Sequence, residues 1–203
     1  MINVNVAGLL AADERLTLWI NQHHNVVLDW LLMPISWFGE AGIGWIAIIL
    51  ILLILGGHRE RMVTLVFVGG LVLTEYVLMP HLRELWPRPR PYTYIAGMRQ
   101  LGVPWDKSSF PSAHAHLWTQ AAILYGLTCR RWLWPLIVLS LLTFYSRPYA
   151  GAHHVLDVMA GVGLGGIMGF LELMVATKLG LAQQESECVA AEPVPETEPS
   201  PEC

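Results

Sequence analysis

Five stretches of the chain are apolar over almost their whole length: 41–57 (AGIGWIAIILILLILGG), 62–80 (MVTLVFVGGLVLTEYVLMP), 113–128 (AHAHLWTQAAILYGLT), 132–146 (WLWPLIVLSLLTFYS) and 154–178 (HVLDVMAGVGLGGIMGFLELMVATK). A hydrocarbon layer about 30 Å thick is crossed by about 20 helical residues, fewer where the ends reach the headgroups. The pattern therefore predicts five transmembrane helices. The third stretch is the least hydrophobic, as expected of a helix that faces other helices rather than lipid. Residues 12–38 mix Trp, Leu and charge, which suits helices lying in the membrane interface, and within them 26–38 is a short candidate for a sixth span. The expected fold is all-α: a polytopic membrane bundle of five to six transmembrane helices with N-terminal interfacial helices.

Small residues recur in the last span (Ala160, Gly161, Gly163, Gly165, Gly166, Gly169) and are read as packing positions that let helices approach closely. No strand precedes them, so they do not form a phosphate-binding glycine loop. From residue 182 the chain is acidic and rich in proline, with little to bury, and the expected division is a membrane domain at 1–181 and a disordered tail at 182–203. The longest connection, 82–112, is the first place to look for function.

Composition sharpens this picture. The chain is 54% hydrophobic and 14% charged, too apolar for an ordinary soluble fold. Its net charge of −4 is set by the tail, where six of the sixteen acidic residues lie. Cys129, Cys188 and Cys203 suggest neither a disulfide framework nor a cysteine metal site, and the N-terminus has no form of a cleaved signal. If the five spans alternate, Arg59, Arg61, Arg130, Arg131 and Lys178 share one side, and Arg83, Arg88, Arg90, Arg99, Lys107 and Arg147 share the other. The first group sits in short turns, where the positive-inside rule is most informative, so these turns and the tail are expected in the cytoplasm. The second, denser group is expected outside and calls for another explanation.

Three segments that this topology brings to one membrane face hold that explanation: RELWPRPRP (83–91), FPSAH (110–114) and SRPYAGAHHVLD (146–157). Guanidinium groups carry fixed charge and forked donors that match phosphate oxygens, so Arg83, Arg88, Arg90 and Arg147 at one point would form an anion cage. His153 and Asp157, four apart, would share a helix face, the carboxylate taking one imidazole N–H and leaving the other nitrogen nucleophilic. His114, in a different segment, has the chemistry to protonate a leaving oxygen and then activate water. Glu75, inside the second span, is costly in lipid and is expected to pair with a buried cation or hydroxyl. A zinc reading of His114/His116 and His153/His154 lacks carboxylate ligands and is opposed by the arginines, so no metal or other cofactor is expected. The implied partners are the membrane and a lipid phosphate or diphosphate; no feature suggests nucleic acid, and oligomeric state is not readable.

At these residues the chain resembles the phosphatidic acid phosphatase type 2 superfamily. The family pattern is Lys, six residues, Arg-Pro; then Pro-Ser-Gly-His; then Ser-Arg, five residues, His, three residues, Asp. Here the blocks read Arg83 to Arg90-Pro91, Pro111-Ser112-Ala113-His114, and Ser146-Arg147 to His153 and Asp157, in order and in register. Arg83 replaces the usual Lys and Ala113 the usual Gly, whose backbone N–H survives. The resemblance implies that His153 attacks phosphorus, Asp157 orients it, His114 is acid and then base, and Arg83, Arg90, Ser112, Ala113 and Arg147 hold phosphate, with Arg88 and Glu75 as secondary candidates. The short chain is similar to small bacterial members of the plasma membrane acting on polyprenyl diphosphates or phosphatidylglycerol phosphate. Undecaprenyl diphosphate suits an outward-facing site. A lipid phosphotransferase using the same histidine, and a lipid-phosphate binding or transport protein, are the alternatives.

Overall fold

The computed structural model describes residues 6–38, 42–104 and 108–181, and every regular element among them is helical. The proposed tail, 182–203, lies outside the described residues, as do Lys107 and the acids counted there. Each apolar stretch folds as a helix: α3 (Ile43–Leu55), α4 (His58–Leu73) running through a π-helical turn (Thr74–Leu78) into α5 (Met79–Leu85), then α7 (Ala113–Thr128), α8 (Leu133–Tyr149) and α9 (Val155–Lys178). The ambiguous N-terminal segment forms α1 (Val6–Gln22) and α2 (Val26–Phe38), and a single turn, α6 (Pro91–Tyr94), interrupts the long connection.

Two described helices are long and apolar enough to cross a membrane, His58–Leu85 and Val155–Lys178, and α2 with α3 pass together as a pair bent by 61°. The helices α7 and α8, with 16 and 17 residues, fall short of the length that marks a span by composition alone. Five to six spans therefore remains a reading of the hydrophobic pattern, and two to three is what length and apolarity mark.

The centre of the bundle is α7, whose main neighbours are α9 and α8. The small residues of α9 explain the first contact. A Cβ at Gly161 would lie 2.5 Å from the Ser112 carbonyl oxygen, and one at Gly165 only 2.2 Å from that of His116, so any side chain there would push the helices apart. Inside the bundle the costly polar groups find partners: Glu75 Oε1 is 2.7 Å from Nε2 of the buried His116, and Gln120 of α7 donates to Glu172 of α9. The partner expected of Glu75 was a buried cation or hydroxyl; the group it meets is an imidazole. An aromatic core of Trp45, Phe67 and Trp118, with Tyr125 against it, fills the space between α3, α4 and α7.

The N-terminal helices do something the hydrophobic pattern conceals. Asp13, Thr17, Ile20 and Asn21 of α1 are buried, one polar-edged face turned into the bundle. Asn21 Nδ2 donates to the carbonyls of Arg99 (2.7 Å) and Tyr149 (2.8 Å), while its Oδ1 accepts from the Arg99 N–H. This ties the 95–101 loop to the end of α8.

Candidate active site

Three helix ends meet at one end of the bundle. Ser112 caps the start of α7, Arg147 lies in the last turn of α8, and His154 caps the start of α9. The Ser112 N–H donates to the Asp157 carbonyl (3.0 Å), so the starts of α7 and α9 touch. The start of α7 is therefore held against the start of α9, and the positively polarised end of α7 favours an anion. The turn from α8 to α9 passes through Gly151 at φ +73°, where a Cβ would also stand 2.7 Å from the Arg99 carbonyl oxygen. On the other side, 86–90 runs beside 108–112, with Ser109 N–H donating to the Arg88 carbonyl (2.9 Å).

His153 is 3% exposed, and its Nδ1 lies 2.7 Å from the Ser109 carbonyl oxygen. A carbonyl only accepts, so Nδ1 carries the proton and Nε2 the lone pair. Nε2 faces Arg90 Nη1 at 3.4 Å, and that same nitrogen donates to the Ala152 carbonyl (3.0 Å), which fixes the guanidinium. Burial, then the charges of Arg147 and Arg90, hold the His153 imidazole well below the ordinary histidine range, so it is neutral at pH 7. Arg147 is itself buried and donates to Ser36 Oγ (2.5 Å) on α2. The His114 ring bonds the Ser36 backbone and feels the charges of Arg147, His153 and Arg90, while its buried Nε2 has no hydrogen-bond partner among the described residues. Ser112 Oγ is likewise buried without a partner.

Behind this cluster lies a second one. Arg88 is 8% exposed and bridges two carboxylates, donating to Asp157 Oδ1 (2.7 Å) and Asp13 Oδ2 (2.6 Å). Burial alone would lower the Arg88 pKa, yet the two carboxylates hold it above its ordinary value. Asp157 Oδ2 accepts from the His154 N–H (2.9 Å) and lies 3.1 Å from His154 Nδ1. Asp13 Oδ1 accepts from the Leu156 N–H (3.0 Å), and Thr17 Oγ1 from the Val155 N–H (3.2 Å). The donors that the first turn of α9 leaves unpaired are thus met by α1 and by Asp157. The chain of contacts ends at Tyr94, whose hydroxyl lies 2.7 Å from Glu14 Oε1 and 2.9 Å from His154 Nε2. Burial and the bond to Glu14 push that phenol above its ordinary pKa.

Of the residues singled out in the sequence, the structure brings His153, His114, Arg90 and Arg147 together, with Ser112 and Ala113 at the adjoining start of α7. Arg88 takes a place behind them. Arg83 stands in the last turn of α5, its Nε buried and without a hydrogen-bond partner among the described residues. One geometric expectation changes: Asp157 bonds His154 and Arg88, and the His153 N–H goes to the Ser109 carbonyl instead. The reason is local. His153 precedes the helix cap, so the i, i+4 geometry that would align it with Asp157 never applies, and the residue with access to the carboxylate is the cap itself. Asp13, Ser36, Ser109 and Tyr94 were not singled out, and Asp13 is one of three consecutive charged residues, Asp13-Glu14-Arg15, with nothing to mark it from its neighbours.

A helical membrane bundle that gathers two histidines and two arginines around buried donors, between paired helix starts, has the makings of a phosphoryl-transfer site. Residues 63–180 match the model of the PAP2 superfamily, and the chain belongs to that superfamily of membrane lipid phosphatases. It is 32% identical over 159 residues to the undecaprenyl-diphosphatase of Sulfolobus acidocaldarius, covering 77% of this chain and 74% of that one. It is 31% identical to the lipid A 4'-phosphatase of Bacteroides thetaiotaomicron, with 82% and 78% covered. Its fold matches the crystal structure of Aquifex aeolicus LpxE with a TM-score of 0.68 at 25% identity, over 79% of this chain and 93% of that one. The helices α1 and α2, which carry Asp13 and Ser36, lie before the matched segment.

Proposed function

We propose that the protein hydrolyses a lipid diphosphate, with undecaprenyl diphosphate as the substrate and undecaprenyl phosphate and inorganic phosphate as products. The observation that carries this reading is the lone pair on His153 Nε2 set against Arg90, with Arg147 and His114 beside it. In the first step Nε2 attacks the terminal phosphorus and the bond from phosphorus to the bridging oxygen breaks. The proton for that leaving oxygen comes from Nε2 of His114 in its imidazolium form, which the negative charge of the bound diphosphate favours, and His114 is left neutral. In the second step water attacks the phosphohistidine, His114 takes the water's proton, and phosphate leaves. Charge on the equatorial oxygens is met by Arg90, Arg147, Arg83, the Ser112 hydroxyl and the N–H of Ala113. Asp157 is a positioning residue that acts on His153 through its charge and through the cap of α9. No metal enters the scheme.

The substrate is favoured by the undecaprenyl-diphosphatases of Sulfolobus acidocaldarius and Bacillus subtilis among the relatives. The charge distribution favours a site outside the plasma membrane with the C-terminus in the cytoplasm. The test is phosphate release by the purified protein with EDTA present, from undecaprenyl diphosphate, phosphatidylglycerol phosphate and phosphatidate, with His153→Ala as control. The expected result is metal-independent release, fastest from the polyprenyl diphosphate and abolished by the substitution. Faster cleavage of phosphatidate would overturn the substrate, and release that survives His153→Ala would overturn the mechanism. Accessibility of a C-terminal tag in intact cells tests the orientation.

A further inference from the structure

One cavity among the described residues lies away from the histidines. It has a volume of about 600 Å³ and lies between α3, α4, α7 and α8, lined by Ile48, Leu52, Val63, Leu136 and Leu139 among others. On α7, Trp118, Tyr125 and Thr128 line it, along the helix stripe that begins at His114. At about 1.5 Å of rise per residue, the cavity extends about 15 Å along α7, from Trp118 to Thr128. Half of a hydrocarbon core about 30 Å thick is close to that length. The polar lining is gathered at the end remote from the phosphate cage: Arg59, Glu60, Thr128 and Arg131.

The two arginines there outnumber the one carboxylate. Arg59 is fixed by donating to the carbonyls of Leu181 and Thr128, each at 2.8 Å, and Arg131 lies over the Trp132 ring at 5.4 Å. Among the described residues neither forms an ion pair with a carboxylate, and Arg61 and Arg130 add positive charge beside them. An apolar slot one leaflet deep with a cationic mouth fits one class of ligand, a phospholipid with an anionic headgroup.

We infer that this cavity binds an anionic phospholipid of the leaflet opposite the phosphate cage, one acyl chain between α3, α7 and α8 and its phosphate at Arg59 and Arg131. The site is separate from the histidines and does not depend on their chemistry. Native mass spectrometry of the full-length protein in detergent tests it, with phosphatidylglycerol and phosphatidylcholine as probes. One phosphatidylglycerol is expected to stay bound, with phosphatidylcholine at least tenfold weaker. Leu136→Trp, which fills the slot, and Arg131→Gln, a change at an exposed side chain, are each expected to weaken phosphatidylglycerol by tenfold or more, and His153→Ala to leave it unchanged. Equal binding of the two lipids, or loss of the adduct in His153→Ala, would overturn the inference. If Leu136→Trp does not fold, the Arg131→Gln protein decides, and undiminished phosphatidylglycerol binding there would also overturn it.

Discussion

The two polar layers at the end of the bundle that holds the proposed site are built from the same residue types and are satisfied very differently. In the front layer, Ser112 Oγ and His114 Nε2 are buried without partners among the described residues, and His153 Nε2 makes a long contact to Arg90. In the back layer both carboxylate oxygens of Asp157 and of Asp13 are bonded, and Arg88 spans the two. A buried polar group without a partner costs about 1–3 kcal/mol, so the front layer is unstable in isolation. The back layer offsets that cost and holds the loop bearing His153 against α9. The groups proposed to react can stay unsatisfied because the groups behind them are saturated.

The comparison is broken most severely from the front. His153→Ala is expected to lower phosphate release by at least about 10³-fold, and His114→Ala by about 10²–10⁴-fold, with unfolding temperatures close to that of the parent protein. Turnover and thermal unfolding measured on the same preparations check both. If either variant lost stability in step with activity, the division into reactive and supporting layers would fail.

Breaking the back layer should do the reverse. Arg88→Met leaves Asp13 and Asp157 buried without their shared cation, and removing one partner of a buried ion pair costs about 3–5 kcal/mol. At about 2–4 °C per kcal/mol for a chain of this size, the unfolding temperature should fall by roughly 6–20 °C. Activity at low temperature should fall much less than in His153→Ala. A variant that kept its unfolding temperature while losing all turnover would move Arg88 into the reacting group.

Acidity sharpens the same contrast. His153 is held below the ordinary histidine value of about 6.5. The unfolded chain therefore binds its proton first as pH falls, and the native state loses stability from about pH 6.5 downward. The acid limb of kcat/KM for the free enzyme should accordingly lie below pH 6.5. Arg90→Gln removes one of the charges that disfavour the imidazolium, so the limb should move to higher pH as activity drops. A limb that stays in place would show that Arg90 does not set the charge state of His153.

Most of the front layer was legible because its chemistry rests on residue type and spacing. Arg90, Arg147, His114 and His153 sit in short segments whose order and register can be read directly. The back layer was hidden for two physical reasons. Asp13 stands in a segment where charges and tryptophans suggest a helix on the membrane surface, and no pattern shows that one face of α1 caps α9. The His153/Asp157 spacing invites a helical reading, but the helix begins two residues later and histidine is an unusual cap. Ser36 and Ser109 act through Oγ and a main-chain carbonyl, which leave almost no trace in a sequence.

The smallest expected effect lies at the outer edge of the back layer. Tyr94 is 47% exposed, yet its hydroxyl joins Glu14 of α1 to His154 at the cap of α9. Tyr94→Phe removes that link and leaves the ring in place. His154 is fully buried, so Nε2 loses its partner, and the cost should lie near the low end of about 1–3 kcal/mol because water can reach the vacated position past the exposed ring. Turnover should change by only a few-fold, because Asp157 keeps Arg88 and the His154 N–H. Pairing Tyr94→Phe with Glu14→Gln decides whether the link acts as a unit. If it does, the double variant should lose little more stability than Tyr94→Phe alone, whereas two full additive losses would show that Glu14 supports α1 independently of Tyr94.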